Sequence, residues 1–163
     1  MAKASSAPQI GKSVLDRLID DDPDTTRDAP SSPAGQQRQL RAAIVRDVQN
    51  LLTTRCRCTT CPDDLEELPR SLANYGVPDF SGDALGTDLG RRSILRQIED
   101  RIGMFEPRLA NVRIVPLASA GYADRTLRFR VEGTLQGGAT RESISLGSAM
   151  NRASGECLVE EVG

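Results

Sequence analysis

The apolar residues change their period at one point of the chain, and that change limits the fold more than any other feature. Ile94, Leu95, Ile98 and Ile102, with Phe105 beyond them, recur at the three-and-four spacing of one helical face. Pro107 biases Glu106 away from helical backbone, so this helix is expected to stop near Gly103 to Phe105, with Thr87 or Asp88 as its N-cap. Beyond the proline the spacing falls to two. NVRIVPLA puts Val112, Ile114 and Pro116 on one side, and TLRFRVEGTLQ sets Leu127, Phe129, Val131 and Leu135 against Arg128, Arg130, Glu132 and Thr134. ATRESISLG continues after a Gly137-Gly138 turn.

Upstream, QQRQLRAAIVRDVQNLLTTR places Leu40, Ile44, Val48, Leu51 and Leu52 on one helical stripe with arginines opposite. Helices first and a meander second define an α+β class: two main helices packed on one face of a three-stranded antiparallel sheet. Between the helices, PDDLEELPRSLANYGVPDFSG reads as short turns punctuated by Pro62, Pro69 and Pro78, with Gly76 closing SLANY. Leu65, Leu68, Leu72, Tyr75 and Phe80 are the residues expected to pin this connector. A three-stranded sheet has edges, which must be protected or used for pairing with another chain.

Ahead of both helices, SVLDRLID aligns Val14, Leu15, Leu18 and Ile19 as a short apolar stripe. DDDPDTTRDAPSSPAG follows, too polar and too rich in proline to offset its ordering entropy. Residues 1–36 therefore read as a short helix on a flexible linker, and 37–163 as one domain. The short helix is either a frayed end or a peptide that docks by its apolar face.

Composition narrows the function classes. Net charge is -2, which gives no support for a nucleic-acid or membrane-surface protein. No run approaches the roughly 18 apolar residues of a membrane span, and the start lacks a signal peptide's apolar stretch, so the cytosol is the expected compartment. With 0 histidines no Ser-His or Cys-His unit exists. Glu99, Asp100 and Glu106 are the carboxylates a hydrolase would recruit. Glycoside hydrolysis, however, needs two carboxyls across one cleft and aromatic rings to hold sugars, and the chain has 0 Trp, 2 Tyr and 3 Phe. Glu99 and Asp100 are expected on the solvated face of their helix, Glu99 pairing with Arg92 or Arg96. No catalytic set emerges.

Cys56, Cys58 and Cys61 form CRCTTC, with Cys157 far downstream. A zinc or iron-sulfur site wants four ligands, and no histidine supplies the fourth, so incidental thiols at a helix end outweigh a metal site. No cofactor is expected. GDALGTDLGRR lacks the lysine and hydroxyl of a phosphate-binding loop. The arginines alternating along TLRFRVEG are the in-out pattern of a half-exposed strand.

Glu106-Pro107-Arg108 is more distinctive. The proline fixes the backbone between two opposite charges just past a helix end, and Arg108 is suited to a forked contact with a carboxylate. Two readings stand side by side: an intramolecular bridge that locks the helix-to-strand turn, or a device presented to a partner.

SVLDRLIDDDPD, LRAAIVRDVQNLLTTR, SLANYGVPDFSG, RRSILRQIEDRIGMFEPRLANVRI and LRFRVEGTL, in this order from about Val14 to Leu135, together resemble the TssE family of type VI secretion baseplate subunits. That family is similar to the small wedge protein of contractile phage tails, a domain labelled lysozyme-like. The resemblance implies a structural, non-enzymatic role in the cytoplasm, at a baseplate docked on the inner membrane. It implies TssF, TssG and TssK as baseplate partners and the sheath subunits TssB and TssC, with no nucleic acid and no membrane insertion. Glu106, Pro107 and Arg108 would bind the wedge partners, and the strand carrying Leu127, Phe129, Val131 and Leu135 would pair with the sheath. A peptidoglycan hydrolase and a cysteine-ligated metal protein, through Cys56, Cys58 and Cys61, are the competing readings. CRCTTC has no counterpart that we associate with the family.

Overall fold

The computed structural model describes residues 14–19, 24, 32–56, 64–79, 87–118, 126–136, 142–151 and 156–162. A five-residue helix, α1, spans Val14–Leu18. Helix α2 spans Pro33–Thr53. It starts inside the segment expected to be linker, because Ser32 accepts the Gly35 N–H at 3.2 Å and Pro33 supplies a first-turn φ without losing a needed donor. A serine and a proline that look like linker composition are here a helix start.

Helix α3, Asp88–Phe105, begins as expected: the Thr87 hydroxyl accepts the Gly90 N–H at 3.1 Å. Its stripe of Ile94, Leu95, Ile98 and Ile102 is buried, and it ends one residue before Glu106. Between the helices lie two single 3-10 turns, Leu68–Arg70 and Leu72–Asn74. Leu72, at 85% exposure, and Leu65, at 49%, do not pin the connector. Val77, fully buried, does, and Tyr75 packs edge-on against Phe105 with centroids 5.3 Å apart. Phe80 lies outside the described residues. The Val77 segment is stitched to the end of α2 by Cys56 N–H to Val77 O and Val77 N–H to Thr54 O, both 2.9 Å. Gly76 permits that approach: its φ is 108°, and a Cβ there would lie 2.5 Å from the Thr54 carbonyl oxygen.

The sheet has four strands, not three, in the order β1-β2-β3-β4, all antiparallel: Leu109–Pro116, Thr126–Leu135, Ser143–Asn151 and Cys157–Glu161. Strand β4 escapes the period-two reading because CLVEE is short and nearly half glutamate. Leu127, Phe129, Val131 and Leu135 of β2 all face the core, as their alternation requires. Strand β2 is, however, interior, with β1 on one side and β3 on the other. Its backbone groups are engaged on both sides, so it offers no edge for the strand pairing assigned to it from sequence. The edges are β1 and β4.

Both long helices pack on the inner face of the sheet around Phe129, Ile44, Leu51, Leu52, Ile98, Ile102 and Leu146, each essentially fully buried. Arg41 of α2 ties that helix to the far side of the sheet, donating to Glu142 at 2.8 Å and to Glu161 of β4. Its pairing holds the Glu142 carboxyl below the usual range.

Candidate functional site: the Glu-Pro-Arg turn

Three residues connect α3 to β1, and the backbone N–H and C=O of the first and the last are all bonded. Glu106 N–H closes the last helical turn onto Ile102 O at 2.8 Å, Glu106 O accepts Leu109 N–H at 3.0 Å, and Arg108 O accepts Gln136 N–H at 2.8 Å. Pro107 lies exposed at the tip. The turn is therefore fixed by helix, strand and neighbouring strand together.

The side chains close a second layer. Glu106 is only 4% exposed. Its Oε1 accepts from Arg108 Nε at 2.7 Å and from the Arg108 backbone N–H at 3.2 Å, and its Oε2 accepts from Arg108 Nη2 at 2.6 Å. This is a bidentate fork between residues two apart. Arg108 then reaches outward, with Nη2 2.5 Å from Asp47 Oδ2 on α2 and Nη1 3.4 Å from Asp16 Oδ2 on α1. Arg46 completes the cluster, donating from Nε to Asp47 at 2.9 Å and from Nη2 to Asp16 at 2.7 Å. Hydrogen bonding to Glu106, then the Glu106 and Asp47 charges, push the Arg108 pKa up against the opposing effect of burial. The Arg46 value is raised chiefly by Asp16. Burial first, and then the charges of Asp47 and Glu106, also raise the nearby Tyr75 phenol.

The intramolecular bridge, one of the two readings open from sequence, is thus present. Sequence reasoning found Glu106 and Arg108 but missed Asp16, Arg46 and Asp47. Asp47 and Arg46 sit among the polar residues of an amphipathic helix, where nothing in the period distinguishes them from solvated charges. Helix α1 is held by its polar side, while its apolar stripe faces out: Val14 and Leu18 are each 75% exposed and Leu15 is 51% exposed.

The other carboxylates do not converge on this turn. Glu99 is half-buried rather than solvated; instead of meeting Arg92 or Arg96, its Oε2 accepts the Ile114 N–H of β1 at 2.8 Å. Asp100 lines a shallow depression with Pro69, Asn74, Gln97, Arg101 and Met104, where it is the only carboxylate. A two-carboxylate cleft is not assembled among the described residues. Of the thiols, Cys56 and Cys157 are free and buried, and Cys58 and Cys61 lie outside the described residues. Among the described residues no three potential metal ligands cluster. Burial pushes the Cys157 thiol up to about 12, opposed by the charge of Arg55.

Comparison with known proteins places the chain. No curated protein matches it. A solved chain described as part of "The baseplate complex from the type VI secretion system" is similar at 17% identity with a TM-score of 0.45, covering 71% of this chain and 97% of that one. The family model for "Baseplate wedge protein gp25" matches residues 38–140, a span that takes in most of α2 and all of α3, the Glu-Pro-Arg turn, β1 and β2. On that match, this chain belongs to the baseplate wedge protein gp25 family.

Proposed function

We propose that this protein is the TssE-type wedge subunit of a type VI secretion baseplate: a structural part that joins wedge subunits through the Glu-Pro-Arg turn and templates the sheath through a sheet edge. Membership of the wedge family over residues 38–140 carries the reading. The ionic cluster supports it physically. A turn whose backbone and charges are already bonded presents Pro107 and the rim of the Arg108 guanidinium in one geometry, which lowers the entropy cost of docking. Both oxygens of Glu106 are taken by Arg108, which leaves little for acid catalysis on a cell-wall sugar.

The partners in this reading are TssF and TssG at the turn, TssK within the baseplate, and TssB and TssC at the sheet. The assembly sits in the cytoplasm against the inner membrane. No helix among the described residues is long and apolar enough to cross a membrane. Affinity purification of the tagged chain from secreting cells tests the proposal: TssF and TssG should be retained together. Retention of neither, with the chain folded, would sink it, and so would cell-wall turnover that Glu106→Gln abolishes.

A further inference from the structure

The two edges of the sheet are not equivalent. On β1, Leu117 N–H donates to Arg128 O at 3.0 Å, so by the antiparallel alternation Ile114 and Pro116 turn their backbone away from β2. Neither offers an N–H to an incoming strand. Pro116 has no N–H, and Ile114 N–H is held at 2.8 Å by the Glu99 carboxylate reaching over from α3. Further along, Leu109 N–H is taken by Glu106 O, and the ladder is broken by a bulge between Ala110 and Arg113, where Asn111 adopts a φ of 52°. Bulge, proline and an inward-reaching charge are the devices that blunt an edge.

Among the described residues, strand β4 carries none of them. Asn151 N–H donates to Glu156 O and Val162 N–H to Ser145 O, both 2.8 Å, which fixes the even-numbered residues as those bonded to β3. Cys157, Val159 and Glu161 therefore turn a regular row of N–H and C=O groups outward. The strand is also one-signed: from Glu156 to Val162 it carries Glu156, Glu160 and Glu161 and no basic residue. Arg41 engages Glu161, and Glu160 is exposed. Laid antiparallel on itself in a second copy, this strand would bring glutamates together, which disfavours self-pairing.

We propose that the sheet accepts a strand along β4 alone, that Glu99 closes β1, and that the occupant of β4 is an extended, basic segment of a partner protein. The selection rests on the reading above that a sheet edge is a pairing surface, and it adds which edge, what guards the other and what charge the partner brings. Cys157 and Val159 face the core, so the incoming residues beside them are apolar. Those that flank Glu160 are Arg or Lys.

The test uses the full chain, isotopically labelled, and two synthetic peptides, one alternating valine with arginine and one alternating valine with glutamate. The Val-Arg peptide is expected to shift and protect the amides of Cys157, Val159 and Glu161, to bind roughly tenfold more tightly than the Val-Glu peptide, and to leave Ile114 unmoved. Glu99→Ala should add Ile114 to the perturbed amides, whereas Glu99→Gln, which keeps an acceptor oxygen, should leave β1 closed. Perturbation of Ile114 in the unaltered chain, equal binding of both peptides, or dimerisation through β4 overturns the proposal. A failure confined to sheath assembly in cells, with the peptide results as expected, counts against the baseplate reading and not against the edge selection.

Discussion

Arg108 Nη2 lies 2.5 Å from Asp47 Oδ2, a contact between residues 61 positions apart that fastens the α3–β1 turn to α2. The same guanidinium neutralises Glu106, which is 4% exposed. Arg108→Ala leaves a buried carboxylate without its cation and is expected to cost about 3 kcal/mol of unfolding free energy. Arg108→Lys keeps the charge but not the fork, and should recover less than half of that loss. Urea titration of the three proteins checks both values. Equal stability of Arg108→Ala and the unaltered chain would show that Glu106 has another partner. The same measurement must accompany any sheath-assembly assay, since loss of docking and loss of fold otherwise look alike.

Asp16 holds α1 to the body by its polar side, gripping Arg46 at 2.7 Å and Arg108 at 3.4 Å. A helix of five residues has no stability of its own, and its apolar side chains are mostly exposed. Asp16→Asn is therefore expected to release α1, lowering the heteronuclear NOE of the Val14–Leu18 amides towards that of a free tail, and raised salt should do so in part. Leu18→Ser should leave α1 in place. Release by Leu18→Ser and not by Asp16→Asn would mean that apolar contact holds the helix.

Only two of the cluster's five residues were legible in the sequence, and the reason is separation along the chain. Glu106 and Arg108 flank a proline at a change of period, so local rules find them. Asp16 lies 92 positions from Arg108 and Asp47 lies 61, and no periodicity links such residues. The buried stripes of α2 and α3 and the inward residues of β2 were legible because each follows from a repeat within its own element. Glu99 shows the limit of that method. The helical wheel puts it off the apolar stripe, but it cannot say that the carboxylate bends over a strand edge to meet Ile114 N–H.

Cys157 is 5% exposed, and burial places its thiol at about 12. At about pH 8 its thiolate fraction is roughly a thousandfold below that of an ordinary thiol, and iodoacetamide labelling of the native chain should be slowed at least that much. Peptide mass spectrometry separates Cys157 from the CRCTTC thiols. The linkage has a definite sign: because the folded value is raised above the ordinary 9.0, the neutral thiol contributes stability that is complete below 9.0 and declines as pH rises towards about 12. Cys157→Ala should flatten the stability curve over that alkaline window. Fast labelling of the native protein at Cys157 would contradict the burial of β4's inner face.

Gly76 combines a φ of 108° with a site where a Cβ would stand 2.5 Å from the Thr54 carbonyl oxygen. Gly76→Ala should therefore destabilise by about 2 kcal/mol or more, through backbone strain and loss of the Cys56–Val77 and Val77–Thr54 hydrogen bonds. Thermal unfolding monitored by circular dichroism checks this. An unchanged midpoint would mean that the connector can re-route without those two hydrogen bonds, which pair Val77 with Arg55 as a short parallel bridge.

Arg41 on α2 meets Glu161 on β4 across 120 positions of sequence. The consequence is kinetic. Strands β1 to β3 can zip as successive hairpins, each closing a short loop, whereas α2 is expected to find its seat after β4 has joined them, since the Arg41–Glu161 contact closes most of the chain. Core substitutions in β2 and β3, such as Val131→Ala and Leu146→Ala, should slow refolding, and Val48→Ala in α2 should mainly hasten unfolding. Of the two long helices, the one made first is the one that locks last.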